Sequence, residues 1–253
     1  MSSKGIALIT GAAQGIGRGV ALRLADDGFD VAVNDIPGNV ENLDTLVEEI
    51  RKKGRSSSKH VADVSQEDQV KAMVEAVVQQ HGGLDVMVAN AGVLGHGGAA
   101  GRPLIEVTVE DWDRVMNINA RGPFLCYKYA GIQMIKQGRG GRIIGACSLA
   151  GKQGLATLGP YTASKFAVRG ITQAAALEFG AHGITVNAYA PGAIETPMGG
   201  GAGAASSNKA LAGSIKRIGF PADIASLVSF LASKESGFVT GQSISINGGV
   251  FFD

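Results

Sequence analysis

Short runs of apolar, often β-branched residues alternate along the chain with longer segments whose apolar positions recur every three or four residues. The short runs predict buried strands, and the longer segments predict amphipathic helices. The predicted strands are residues 6–10, 29–34, 58–62, 85–89, 142–146, 184–189 and 243–246. The predicted helices are residues 15–27, 40–53, 66–81, 108–137, 161–181 and 222–233.

This alternation predicts an α/β fold of the Rossmann type, a doubly wound parallel sheet of about seven strands with helices on both faces. We expect a single domain over residues 1–253. Ligands of such sheets bind beyond the C-terminal ends of the strands. Two glycine-rich stretches, residues 95–102 and 198–207, follow strand ends, and we expect a mobile substrate lid over about residues 193–216.

Composition and charge narrow the classes of function. Hydrophobic residues make up 45% of the 253 residues, which is enough for a sizeable core, and the net charge of +1 favours neither nucleic acid nor an anionic membrane as a partner. The sequence shows no signal-peptide pattern and no apolar run long enough to span a membrane, so we expect a cytoplasmic protein. The two cysteines and four histidines are scattered without metal-site spacing, so no metal site is expected.

The first predicted strand ends in a glycine-rich turn, TGAAQGIG at residues 10–17. Gly11, Gly15 and Gly17 permit a tight turn and let a pyrophosphate approach the amides of a helix N-terminus. A turn between a predicted strand and a predicted helix favours a dinucleotide site over an ordinary connection. We expect Gln14 and Ile16 to contact the cofactor as well.

Asp35 ends the second predicted strand, about 20 positions beyond the glycines. A carboxylate there can accept hydrogen bonds from ribose hydroxyls and would repel a 2′-phosphate. The next residue, Ile36, is not basic and supplies no partner for such a phosphate. The sequence therefore predicts NAD(H) rather than NADP(H), the alternative being that Asp35 is a loop carboxylate facing water.

Further cofactor contacts are expected after the third and fourth strands. Asp63, followed by Val64, could place a carboxylate near the adenine amino group. Asn90, Ala91 and Gly92 end the fourth strand, where small residues permit close backbone approach. Asn90 can bridge neighbouring strands or hold the cofactor, and a turn-forming asparagine explains it equally well.

Tyr161 and Lys165 are four residues apart, so they share one face of a predicted helix. An ammonium group beside a tyrosine is expected to lower the phenol pKa from about 10. Ser148, at the end of the fifth strand, can donate to a substrate oxygen. Asn119 lies within a predicted helix, where asparagine is mildly unfavourable. Either a relay to Lys165 or a side chain satisfied at a helix interface would explain it.

Together these motifs resemble those of the short-chain dehydrogenase/reductase family, and they span nearly the whole chain in family order. The matches are the TGxxxGxG turn at 10–17, the NNAG motif with Ala89 in place of its first Asn, the catalytic set Asn119, Ser148, Tyr161 and Lys165, and the PG motif Pro191-Gly192. The resemblance implies hydride transfer between a nicotinamide and a secondary alcohol or ketone. It also implies that Tyr161 is the acid/base, that Ser148 polarises the substrate oxygen and that Lys165 positions the cofactor.

The resemblance adds cofactor contacts near the nicotinamide, and it bears on the substrate. The added contacts are Pro191, Gly192, Ile194, Thr196 and Met198. Residues 146–151, 164–173 and 184–192 are similar to those of acetoin reductases/2,3-butanediol dehydrogenases, which implies a small hydroxyketone or diol such as acetoin or diacetyl. The short, glycine-rich segment 191–216 departs from that pattern and leaves open a bulkier ketone or secondary alcohol of secondary metabolism.

Three further expectations concern the pocket, the class of function and the assembly. His96 and Cys147 are candidate pocket residues, although a loop histidine and a buried small side chain explain them more simply. A dinucleotide-binding sensor without turnover would need the glycine turn but not Tyr161. The family resemblance implies a homotetramer, a dimer of dimers, and we expect Phe251 or Phe252 to pack against a neighbouring subunit.

Overall fold

The computed structural model describes residues 2–199 and 213–252, and within these ranges seven parallel strands form one sheet. The strands are β1 Ile6–Thr10, β2 Asp30–Asp35, β3 Ser57–Val61, β4 Val86–Ala89, β5 Gly141–Ala146, β6 Ile184–Pro191 and β7 Ser243–Ile246. Their order across the sheet is β3-β2-β1-β4-β5-β6-β7. The prediction of a parallel, doubly wound sheet is therefore confirmed. The strand order reverses between β1 and β4, and such a reversal opens a crevice at the C-terminal strand ends.

Helices cover both faces of the sheet. They are α1 Gly15–Asp26, α2 Val40–Lys52, α3 Glu67–His81, α4 Val109–Met116, α5 Gly122–Gln137, α6 Gly159–Phe179 and α7 Pro221–Ala232. The apolar sides of α1, α2 and α7 form one core with the sheet, and those of α3, α5 and α6 form a second. No helix in the described part of the chain is long and apolar enough to cross a membrane.

The prediction of one continuous helix over residues 108–137 is wrong in one respect. A π-helical turn, Asn117–Arg121, separates α4 from α5. Pro123 has no N–H to donate to the carbonyl four residues earlier, so regular α-helical bonding is interrupted at this point. The amide of Gly122 instead donates to the carbonyl of Asn117, five residues back. Thr108 caps α4 by accepting a hydrogen bond from the amide of Asp111 at 3.2 Å.

The helix predicted over residues 161–181 is shifted towards the N-terminus. It begins at Gly159 with Pro160 in its first turn and ends at Phe179, where a short 3-10 turn, Gly180–His182, follows. Proline is favoured in the first turn of a helix, because the first amides have no partner within the helix. Tyr161 therefore lies in the first turn of α6 rather than at its first residue.

The predicted lid over residues 193–216 falls mainly on residues 200–212, which lie outside the described residues, as does most of the stretch 198–207. The described ends of this segment are attached to the rest of the fold. The turn Pro197–Gly199 lies against Gly98–Ala100 of the loop after β4. On the other side, the amide of Ile215 donates to the carbonyl of Gly248 at 2.9 Å.

Two histidines share one serine hydroxyl at the edge of the sheet. The Oγ atom of Ser58 on β3 lies 2.8 Å from Nε2 of His60 and 2.8 Å from Nε2 of His81 at the end of α3. Because a hydroxyl carries a single proton, it donates to one ring and accepts from the other. Burial, reinforced by His81, lowers the pKa of His60 to about 4, and burial also lowers the pKa of His81, which Asp30 partly opposes.

We expect the free energy of unfolding to fall as the pH drops from about 6.5 towards 4. Both histidines have a lower pKa in the folded chain than in the unfolded chain, so the unfolded state binds more protons in this window. Chemical denaturation at several pH values would measure the slope. His60→Gln, which keeps a polar group beside Ser58 but does not titrate, should flatten it. An unchanged slope in that variant would show that other groups cause the loss.

Candidate active site

A cleft of about 470 Å³ lies at the C-terminal ends of the central strands. Most of the sequence-predicted site residues line it, namely Gly11, Gln14, Gly15, Ile16, Asp35, Ile36, Asp63, Val64, Asn90, Ala91, Gly92, Tyr161, Lys165, Pro191, Thr196 and Met198. The predicted residues that do not line it directly are Gly17, Asn119, Ser148, Gly192 and Ile194. The topology therefore brings residues from six strand ends to one groove.

The glycine-rich turn leaves no room for side chains. A β carbon on Gly17 would overlap the carbonyl oxygen of Gly11 and would lie 2.5 Å from Nδ2 of Asn90. Gly11 and Gly15 have positive φ values of 61° and 55°, which L-residues with side chains rarely adopt. Gln14 precedes α1 without forming a side-chain cap. The first amides of α1 thus face the cleft as a site for an anion.

Asp35 is buried and held in place by three hydrogen bonds. Its carboxylate accepts from the amide of Ala13 at 3.1 Å, the amide of Ile36 at 2.9 Å and Nδ2 of Asn39 at 2.8 Å. The alternative of a loop carboxylate facing water is therefore wrong. Its oxygens have lone pairs to spare for further donors, such as the hydroxyls of a ribose.

Asn90 connects the two strands on either side of the crevice. Its Nδ2 donates to the carbonyls of Thr10 at 2.8 Å and Gly11 at 3.0 Å, and its Oδ1 accepts from the hydroxyl of Tyr189 at 2.7 Å. These bonds match the strand-bridging alternative and also fix the floor of the cleft. Tyr189 lines the cleft and was missed by sequence reasoning.

Asn119 is fully buried in the π-helical turn, and its side chain is satisfied there. Its Oδ1 accepts from the amide of Val93 at 2.8 Å, and its Nδ2 donates to the carbonyl of Val93 at 2.7 Å and to Oγ of Ser164 at 3.2 Å. The side chain thus fastens the segment after β4 to α6, as the interface alternative predicts. A relay to Lys165 stays a prediction.

Tyr161, Ser148 and Lys165 come together where β5 meets α6. Nζ of Lys165 donates to the carbonyl of Ala146 at 2.8 Å and lies 5.3 Å from the centre of the Tyr161 ring. Oγ of Ser148 accepts from the amide of Ala150 at 3.1 Å, and Ser148 is hydrogen-bonded to Tyr161. The four-residue spacing therefore places the phenol and the amine at the cleft, and Ser148 brings a hydroxyl beside the phenol.

The expectation that Lys165 lowers the pKa of Tyr161 is not met in this structure. Burial raises the pKa of Tyr161 to about 12, and the hydrogen bond with Ser148 only partly opposes this rise. Burial also lowers the pKa of Lys165 to about 8. Removal from water disfavours the phenolate and the ammonium alike, and for Tyr161 this desolvation is the largest effect on the pKa.

The two candidate pocket residues, His96 and Cys147, differ in position. Cys147 lines the cleft, is buried, and lies with its Sγ 3.4 Å from the carbonyl of Lys165. His96 does not line the cleft, and its Nδ1 lies 3.1 Å from Oδ1 of the buried Asp111. Sequence reasoning also missed other residues that line the cleft; these are Asn34, Asn39, Ala62, Val93, Arg114, Ile118, Ala146 and Pro197.

These features fit a nicotinamide dinucleotide in the cleft. The glycine turn and uncapped helix suit a diphosphate, Asp35 suits a ribose, and Asp63 and Val64 lie where the third strand ends. Oδ1 of Asp63 accepts from the amide of Ser65 at 2.9 Å, which leaves its other oxygen for an amino group. At the opposite end, Tyr161 and Lys165 stand where a nicotinamide and a substrate would meet.

Comparisons with known proteins agree with this geometry. A family model described as enoyl-(acyl carrier protein) reductase matches residues 11–251. A short-chain dehydrogenase/reductase of Armillaria gallica is 51% identical over 98% of this chain and 96% of its own length. A 3-oxoacyl-[acyl-carrier-protein] reductase of Staphylococcus aureus is 42% identical over 97% of each chain. A diacetyl reductase [(S)-acetoin forming] of Staphylococcus epidermidis is 40% identical over 97% of this chain and 98% of its own.

A solved structure shows that the fold is shared with a known enzyme. The crystal structure of carveol dehydrogenase from Mycobacterium avium in complex with NAD superimposes with a TM-score of 0.92 at 31% identity. The match covers 98% of this chain and 97% of that one. Both the fold and the order of its elements are thus shared with a dinucleotide-binding enzyme.

Proposed function

Because the chain belongs to the short-chain dehydrogenase/reductase family, a family of oxidoreductases, we propose that it uses NAD(H) to interconvert a secondary alcohol and a ketone. The observation that carries this proposal is the group Tyr161, Ser148 and Lys165 at one end of a cleft whose other end suits a dinucleotide. A non-catalytic sensor would have no use for the phenol of Tyr161.

The preference for NAD(H) rests on Asp35. Its carboxylate is held by Ala13, Ile36 and Asn39, so it cannot turn away from a ligand without breaking these bonds. A 2′-phosphate beside it would meet a fixed negative charge. Ile36 adds an apolar side chain that is 50% exposed, and offers no cation to such a phosphate. The related carveol dehydrogenase was crystallised with NAD.

In the mechanism that we propose, the nicotinamide supplies or accepts the hydride, and the protein handles the proton and the orientation. The phenol of Tyr161 is protonated at neutral pH, since its pKa lies well above 7, and it can donate this proton to a carbonyl oxygen during reduction. Ser148 donates a hydrogen bond to the same oxygen. Lys165, held by the carbonyl of Ala146, can reach the nicotinamide ribose and fix the cofactor beside Tyr161.

The remaining predicted cofactor contacts surround the glycine-rich turn and the end of β6. Gly17 keeps α1 close to the turn, where its missing side chain makes room. Thr196 lies beside Gly15, whose β-carbon position is 3.4 Å from the Thr196 methyl group. Gly192 and Ile194 continue β6 toward this point, and Met198 lies at the rim of the cleft.

For the substrate, we propose a small hydroxyketone or diol such as acetoin or diacetyl. The relative named diacetyl reductase supports this choice over nearly the whole chain. A bulkier ketone or secondary alcohol is the second candidate, because carveol dehydrogenase, named for a larger cyclic alcohol, has the same fold. Both free cysteines fit the reducing cytoplasm that we expect for this protein.

This proposal is tested by measuring the oxidation of NADH or NADPH through the absorbance of the reduced nicotinamide. Diacetyl, acetoin and carvone are offered in parallel, each with NADH and with NADPH. We expect oxidation of NADH with diacetyl or acetoin and little reaction with NADPH. Reaction with carvone alone would move the substrate to the bulkier class, and equal use of NADPH would contradict the role of Asp35. The absence of NADH binding would contradict the proposal as a whole.

We further propose that the chain forms a homotetramer, and this prediction has its own test. Exposed apolar side chains on α5 and α6 include Phe124, Ile132 and Leu177, and Phe252 is 79% exposed near the C-terminus. Contact with a second copy would remove this surface from water. Light scattering coupled to gel filtration should give a mass about four times 25.8 kDa. Leu177→Asp should reduce it, whereas a monomeric wild-type chain would contradict the proposal.

A further inference from the structure

Arg114 lines the cleft at a place that the proposed mechanism does not use. It lies in the last turn of α4, and Ile118, four residues later, lines the cleft as well. Four residues further on, the β-carbon position of Gly122 lies 2.9 Å from Cγ2 of Val64. Gly122 therefore packs against the loop that follows β3, which carries Asp63 and Val64, and Ile118 and Arg114 precede it along the same segment.

The cleft at this end is a slot between apolar walls. Ile36 leads from β2 into the helices on one face of the sheet, and Ile118 lies in the turn between α4 and α5 on the other face. Val64 closes the slot at the side, and Asp63 adds a carboxylate. An apolar slot with a carboxylate beside it suits a planar heteroaromatic ring that bears an amino group.

The guanidinium of Arg114 has no hydrogen bond or ion pair to any side chain or backbone group within residues 2–199 and 213–252. By contrast, Arg18 pairs with Glu49 at 2.7 Å, and Arg217 pairs with Asp223 at 2.7 Å. A planar cation that is not committed to a carboxylate can stack on an aromatic ring, which a lysine ammonium cannot do in the same way.

We propose that Arg114 covers the adenine ring of a bound dinucleotide, with its guanidinium stacked on the ring face. This inference rests on the proposed use of the cleft by NAD(H). It assigns a binding role to a residue outside the family motifs, and it makes adenosine recognition partly dependent on α4. Because Asp63 and Val64 follow β3, which β2, β1 and β4 separate from β5 in the sheet, a contact with the adenine beside them acts on cofactor affinity rather than on the chemical step.

The test compares ligands that do and do not contain adenosine. Dissociation constants of ADP-ribose and of reduced nicotinamide mononucleotide are measured by calorimetry for the wild type, Arg114→Met and Arg114→Lys. Arg121→Met, on the next turn but outside the lining, is the matched control. We expect both Arg114 variants to bind ADP-ribose roughly fivefold more weakly, with the mononucleotide unaffected.

Three results would overturn the inference. Unchanged ADP-ribose binding in Arg114→Met would show that the side chain does not contact the ligand. Full affinity in Arg114→Lys would show that only charge matters, as for a phosphate contact. An equal loss for the mononucleotide would place the effect outside the adenine slot. If the wild-type chain binds neither ligand, the proposed function itself fails, and this outcome is distinct from a failure confined to the variants.

Discussion

Replacing Tyr161 with phenylalanine is expected to lower kcat by roughly 10³-fold while NADH binding stays unchanged. The substitution removes a single hydroxyl whose hydrogen-bond partner in the protein is Ser148. Without it, no group of suitable proton affinity touches the substrate oxygen, because Ser148 is a far weaker acid and Lys165 is held by the carbonyl of Ala146. The rate of NADH oxidation and the dissociation constant of NADH, measured on the same preparation, separate the two effects.

Tyr129→Phe is the matched control for this experiment. The Tyr129 hydroxyl donates to Glu67 at 2.8 Å on the surface of α5, away from the cleft, so the rate should be unaffected. If Tyr161→Phe retained more than about a tenth of the wild-type kcat, the proton would have to come from another donor. In that case Lys165, whose pKa is lowered to about 8, would be the first group to examine.

Gly17→Ala is expected to weaken NADH binding by roughly 100-fold or more, without unfolding the chain. The added β carbon would overlap the carbonyl oxygen of Gly11, which is itself held by Nδ2 of Asn90 at 3.0 Å. Because neither group can move freely, α1 would have to shift away from the turn, and its amides would no longer meet a diphosphate. Titration of NADH, together with a thermal unfolding curve, measures both quantities.

Gly38→Ala is the control, since a β carbon there meets nothing within 4 Å. It should leave NADH affinity and the unfolding temperature nearly unchanged. Near-normal NADH binding by Gly17→Ala would mean that the turn adapts to the methyl group, and that the anion site does not depend on this close approach. A large loss of NADH affinity in Gly38→Ala would instead show that a methyl group disturbs the segment after β2, although a β carbon there meets no other atom within 4 Å.

The sheet and its two helix layers were predictable from the sequence, because burial imposes a period on the chain. The predicted bounds of Ile6–Thr10 and Ser243–Ile246 agree with the structure, and the other strands differ by one or two residues. The catalytic residues were predictable for a different reason, since the family motif fixes their spacing. The features that specify the elements repeat along the sequence, and those that specify the catalytic residues lie in short local motifs.

The remaining features depend on contacts between distant segments. The π-helical turn follows from Pro123 and from the burial of Asn119 between Val93 and Ser164. The raised pKa of Tyr161 reflects how deeply its hydroxyl is desolvated, and a spacing of four residues does not specify this depth. Likewise, nothing in the periodicity of α4 distinguishes Arg114 from a solvent-exposed arginine.

The π-helical turn also sets the helical phase between α4 and α5. Each residue of an α-helix advances the side-chain direction by about 100°, so one extra residue in the turn rotates everything after it by that angle. Asp111 and Val115 on α4 and Leu125 on α5 are all buried in this register. Deleting one residue between Asn117 and Arg121 would rotate α5 by about 100° relative to α4 and move its buried side away from the core. The interruption is therefore what allows both helices to face the core while Asn119 points inward between them.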